Sequence, residues 1–157
     1  MSTATDNREV NENMSKIRTM LVGTVFAATA VLAAPGIAQA APCSTGEFCA
    51  WADGEGELHA QGNTADWPDN VQNKVDQVQN SGTSGGRDDV NIYYNESYSS
   101  AYACLPRGET WNLRDGSKIF SWVSSQVPEN VRYAGWNAGV HDNAASHKWV
   151  TDCGPNT

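Results

Sequence analysis

Four cysteines, Cys43, Cys49, Cys104 and Cys153, carry the chemistry most easily read from this chain. An even number of thiols in a short exported domain reads as a disulfide framework, whereas a zinc site asks for C-x-x-C or Cys/His groups at ligand spacings. The chain has no C-x-x-C, and His59, His141 and His147 do not fall at zinc-ligand spacings. Four cysteines allow three connectivities. The expected one pairs Cys43 with Cys49, closing a small loop through Gly46, and Cys104 with Cys153, tying the end of the chain to its middle. In the chain-entropy picture the longer closure contributes about 4 kcal/mol.

Other reactive groupings are weaker. No G-x-S-x-G, H-E-x-x-H or glycine-rich phosphate loop occurs. His141, Asp142, Ser146 and His147 lie close in sequence. A His-Asp-Ser set means nothing without geometry, so turn chemistry followed by a strand histidine is the plainer expectation. Asn95-Glu96-Ser97 formally matches a glycosylation sequon and reads as a turn. A binding protein is expected, and an enzyme is not.

The disulfide reading depends on export. Lys16 to Thr19 supply a basic segment, an apolar run follows, and Ala38-Gln39-Ala40 supplies a small-residue exit. Pro35 and Gly36 interrupt the apolar run and no stop-transfer charges follow, so a membrane anchor is not expected. Pro42 directly before Cys43 argues against a lipoprotein. Residues 1–40 are thus expected to be a removed signal peptide with an extended polar N-terminus, which a start at Met14 would shorten to a conventional one. The secreted remainder, 41–157, is large enough for one domain with a modest core. Residues 1–40 carry as many cations as anions, so the remainder keeps the net charge of −8. Nucleic acids and anionic membranes are recognised through basic patches, and neither is expected as a partner.

The elements that would hold these residues are strands. Short segments rich in β-branched and aromatic residues alternate with turn clusters: EFCAW then ADGEGE, VNIYY then NESYSS, AYACL then PRGE. Such punctuation predicts an all-β sandwich or small barrel. Thr83 to Asp89 reads as a linker between two diverged copies, about 43–82 and about 90–153. AWADGEGE aligns with YYNESYSS, and NKVDQVQN loosely with HDNAASHKW, leaving Ser121 to Trp136 as an insertion in the second copy.

Taken in order, CSTGEFCAW, NKVDQVQNSG, VNIYYNESYSSAYACLPRGE and SHKWVTDC resemble the secreted bacterial peptidase inhibitor family I36. The resemblance implies a βγ-crystallin-like β-sandwich of two Greek-key motifs, and an extracellular protease, in the best-studied kind a metalloprotease, as partner. It points to Cys104, Leu105, Pro106 and Arg107 as the inhibitory segment, with Leu105 entering an apolar pocket and Pro106 stiffening the chain. The family pattern closes a tight loop with a second cysteine a few residues on, and LPRGET has none. The plainer reading places Cys104 and Leu105 in an ordinary strand and Pro106 to Glu109 in a turn.

The crystallin-like fold also implies a motif for Ca²⁺, which takes six to eight oxygen ligands. Asn73 and Asp76 in the first copy and Asp142 and Ser146 in the second are its candidates. Both copies are degraded, because Gln77 stands where the motif has Ser, His141 does not fit its position, and Ala145 removes a ligand outright. No cofactor is otherwise expected, and a monomer is. The six tryptophans suggest carbohydrate or cell-surface binding as an alternative function, with Trp67, Trp122 and Trp136 the candidates for an exposed face and Trp51 and Trp149 for the core.

Overall fold

A computed structural model describes residues 41–155, so the signal-peptide reading of residues 1–40 lies outside the described part. Seven strands form two antiparallel sheets, with little helix. Their order is β1 (Phe48–Ala52), β2 (Gly56–Ala60), β3 (Gln77–Asn80), β4 (Asp89–Tyr93), β5 (Tyr102–Leu105), β6 (Thr110–Asn112) and β7 (Ser146–Val150). One sheet runs β2-β1-β3-β6 and the other β5-β4-β7.

Period-two side-chain alternation explains the core. In β1, Phe48 and Ala50 face inward, as do Val90 and Ile92 in β4 and Ala103 and Leu105 in β5. Val78 from β3, Trp111 from β6 and Trp149 from β7 complete the facing layers, and loop residues Trp67, Val71, Val75, Leu113, Phe120 and Val140 fill the ends. This is the all-β sandwich expected from the alternating segments.

Neither half of the chain closes its own sheet. β6 from the second half pairs with β3 of the first, in the register Gln77↔Asn112, Val78↔Trp111 and Gln79↔Thr110. In return, Thr64 from the first half bridges His147 in β7. The segments ahead of β3 and β7 hold one another as well. Asn73 N–H donates to the Ala144 carbonyl at 2.9 Å, and Asp142 N–H donates to the Val75 carbonyl at 3.3 Å. Both residues sit in the left-handed region, with φ of 55° and 58°, which Asn and Asp tolerate better than most side chains.

The disulfides join Cys43 to Cys49 and Cys104 to Cys153, the pairing expected from sequence. With sequence separations of 6 and 49 residues, the chain-entropy picture assigns them about 2 and about 4 kcal/mol respectively. The longer bridge pins the C-terminal segment beside β5, where the Tyr102 hydroxyl donates to the Gly154 carbonyl at 2.6 Å.

The stretch between β6 and β7 carries one short helix, α1 (Glu129–Arg132). It is fastened to β5 by paired backbone bonds between Tyr102 and Trp122 and to the core through Phe120. No helix among the described residues is long and apolar enough to cross a membrane.

Candidate functional site

β5 ends at Leu105 and the chain turns through Pro106, Arg107, Gly108 and Glu109 into β6. Leu105 is 0% exposed and belongs to the core cluster, so it cannot enter a protease pocket. That expectation is corrected, because strand alternation turns Leu105 inward opposite Val90. Cys104 is buried as well, while Arg107, Gly108 and Glu109 are exposed. The plainer reading of strand then turn is the one observed.

The turn is nevertheless firmly held. Glu109 N–H donates to the Pro106 carbonyl at 3.2 Å, and Gly108 N–H to the Asn80 carbonyl at 2.9 Å. Gly108 has φ of 80°, a conformation that needs glycine. Asp89, at the start of β4, anchors both ends of the region: one oxygen accepts from Arg107 N–H at 2.9 Å and the other from Cys153 N–H at 3.0 Å. The Arg107 guanidinium lies 2.9 Å from Asp88, with about half of the side chain exposed. The result is a braced turn that exposes the cationic Arg107 beside Glu109, whose carboxylate accepts from Trp111 Nε1–H at 2.7 Å. Sequence reasoning missed both aspartates, which precede the turn by 18 residues or so and carry no local signal.

The calcium candidates fall into two places. Asp76 accepts from the Asp53 N–H at 2.7 Å, from Arg114 Nε at 2.7 Å and from His141 Nε2 at 3.0 Å. Arg114 also reaches Asp53 at 2.7 Å, and His141 Nδ1 lies 3.4 Å from Asp142. Burial pushes the Asp76 carboxyl up, but the Arg114, Asp53 and His141 hydrogen bonds outweigh it and bring the pKa down to about 2. A guanidinium already neutralises this cluster and both Asp76 oxygens are engaged, so these residues do not fit Ca²⁺.

The second place is an open groove of about 600 Å³ lined by Gln72, Asn73, Glu96, Asp142 and Asn143 among others. Here Gln72 Nε2 donates to Glu96 at 2.9 Å. Ser146 does not join it. Its side chain is buried, donating to the Asn95 carbonyl at 2.6 Å and accepting from Tyr98 N–H at 3.3 Å. Ala145 offers no side-chain ligand, as the sequence implied.

The expected aromatic face also changes. Trp67 is 1% exposed and its Nε1–H donates to His147 Nδ1 at 2.9 Å, so it is a core residue, correcting its assignment to the surface. Trp122 is half-buried against β5. Trp136 is 42% exposed and meets the 51%-exposed Tyr133 edge-to-face at 6.4 Å, with the Arg132 guanidinium 5.4 Å from the Tyr133 ring. Tyr133 was not among the sequence candidates.

The His-Asp-Ser cluster does not assemble into catalytic geometry. His147 is buried, with Nε2–H donating to the Gly62 carbonyl at 2.9 Å while Nδ1 accepts from Trp67. Ser146 is committed to Asn95. Neither presents a nucleophile–base pair to solvent.

Residues 36–105 match the family model of peptidase inhibitor family I36. The I36 match runs from ahead of the first disulfide to the last residue of β5, stopping just before the exposed turn. Over that stretch, less than half of the chain, the sequence is similar to peptidase inhibitors. No curated protein matches the chain. Among solved structures, a chain described under "Evolution of the eye lens beta-gamma-crystallin domain fold" is similar at 13% identity and a TM-score of 0.45, covering 73% of this chain and 96% of that one.

Proposed function

We propose that the protein is exported, loses residues 1–40, and inhibits an extracellular protease by lodging the turn Pro106–Glu109 in the enzyme's cleft. The observation that carries this reading is the I36 match, which ends where the braced turn begins. Tight inhibitors gain affinity by presenting a segment that loses little freedom on binding. This turn has the required fixity through Pro106, Asp89 and the Cys104–Cys153 bridge.

The side chain on offer shapes the target. The family resemblance implied a metalloprotease whose apolar pocket Leu105 would enter, and Leu105 is core. Arg107 suits a specificity pocket with a carboxylate at its base, as in serine proteases that read arginine. Entering such a pocket would release Asp88, and an exposed ion pair of this kind costs only about 0–1 kcal/mol to give up. The test is Arg107→Asp, assayed against an arginine-reading serine protease and a metalloprotease. Loss of inhibition with an unchanged melting curve supports the turn as the contact. Unchanged inhibition by the variant moves the contact elsewhere.

A second reading, binding to carbohydrate or a cell surface, draws on the exposed Tyr133–Trp136 pair. It predicts tryptophan fluorescence quenching by polysaccharide that Trp136→Ala removes, and an absence of quenching would discard it.

A further inference from the structure

Beside the first disulfide the fold gathers four groups that have no place in the inhibitory reading. Cys49 lies in β1 with its sulfur 3.4 Å from His59 Nδ1 on the neighbouring strand β2, the two residues being direct partners in the ladder. Glu47, two residues before Cys49, puts Oε2 3.2 Å from the same His59 Nδ1 and 3.9 Å from the Cys49 sulfur. Cys43 is bonded to Cys49, and its sulfur, the Cys49 sulfur and a Glu47 oxygen all lie within 4.8 Å of one another. The far nitrogen of the ring, Nε2, is buried without a hydrogen bond and sits 3.7 Å from the Glu57 carboxylate, within ion-pair reach.

A tetrahedral zinc ion with bonds of about 2.3 Å to sulfur and about 2.0–2.1 Å to nitrogen or oxygen holds its ligand atoms roughly 3.3–3.8 Å apart. The Cys49, His59 and Glu47 atoms already stand close to that spacing. A carboxylate behind the outer nitrogen of a ligating histidine, as Glu57 stands behind His59, is the usual support for such a site.

We propose that Cys43, Glu47, Cys49 and His59 form a zinc site that the disulfide masks. A dithiol reductant opens it by donating two electrons and two protons to the Cys43–Cys49 bond and closing to its own disulfide. Zn²⁺ then displaces the two thiol protons to solvent and binds two thiolates, the His59 Nδ1 lone pair and the Glu47 carboxylate. Opening this bridge is tolerable to the fold, because a six-residue span makes it the less stabilising of the two. Cys43 is only half-buried, which gives a reductant its point of attack. Among the described residues the other cysteine pair gathers only Asp89 as a third donor and no histidine. This site stands independently of the inhibitory turn.

The experiment reduces the protein with a dithiol and removes the reductant. Alkylation of each cysteine is then followed by peptide mass mapping, with and without Zn²⁺, and Co²⁺ serves as a spectroscopic substitute. Zn²⁺ should slow alkylation of Cys43 and Cys49 at least tenfold and leave Cys104 and Cys153 unprotected. Co²⁺ should give a thiolate charge-transfer band and tetrahedral ligand-field bands at one equivalent. His59→Ala should weaken protection at least tenfold. Equal alkylation with and without Zn²⁺, whether the reduced chain is folded or not, overturns the proposal. So does protection that His59→Ala leaves unchanged.

Discussion

His147 makes the fold acid-sensitive in a window of its own. Its ring is buried between the Phe48 ring, 4.3 Å away between centroids, and Trp67, whose Nε1–H donates to Nδ1. A proton on Nδ1 would set two donors against each other in a dry site. Burial accordingly drives the pKa from 6.5 to about 4, against a smaller opposing effect of the bond to the Gly62 carbonyl. Above pH 6.5 the imidazole is neutral in both the folded and unfolded chains, and this contribution to stability is whole. Between 6.5 and about 4 the unfolded chain takes up a proton that the folded chain refuses, so stability falls as pH falls. Below about 4 both forms are protonated and this loss stops. At about 1.4 kcal/mol per pH unit the full loss is about 3 kcal/mol. Urea unfolding at intervals from pH 7 to 4 would measure it, with His147→Gln as the control, since the amide can accept from Trp67 and donate to Gly62 without titrating. The variant should lack most of the slope. Equal slopes in the two proteins would refute the reasoning.

Asp76, with its pKa at about 2 against an ordinary 3.8, should contribute a further loss confined to pH below 3.8, visible as a second fall in melting temperature that Asp76→Asn flattens. Arg114→Met should lower stability to urea at low salt and less so at high salt, because the guanidinium is about half exposed and its ion pairs are screened. Removing the Cys104–Cys153 bridge by paired alanines should destabilise the protein by up to about 4 kcal/mol, roughly twice the effect of the same change at Cys43 and Cys49, and equal effects would contradict the loop-length argument. Addition of Ca²⁺ should leave the melting temperature unchanged, since Arg114 already neutralises the Asp53–Asp76 cluster, and a rise reversed by chelator would show that the groove lined by Glu96 and Asp142 binds the ion.

The strand content was legible because apolar and aromatic residues recur with period two in FCAWA, DVNIY and YACL, between clusters of turn formers. The disulfide pairing was legible because one short loop through Gly46 left a single partner for Cys104. Exposure was not. Trp67 stands among polar neighbours in ADWPDN, yet its ring turns inward to the buried histidine of a strand 80 residues away. The resemblance implied an exposed Leu105, yet it is the last residue of the strand segment AYACL, and alternation along β5 turns it inward. Arg114 was invisible as the partner of Asp53 and Asp76, since the exchange of β6 into the first sheet brings them together. Non-local pairings of this kind leave no periodic trace in the chain.

Inhibition depends on whether the braced turn blocks a protease. The direct measurement is residual activity of an arginine-reading serine protease and of a thermolysin-like metalloprotease, each at nanomolar concentration, titrated with the oxidised protein. Loss of the serine-protease activity in step with added protein, reaching completion near one equivalent, is the predicted result. Full activity of both enzymes at micromolar protein would contradict it.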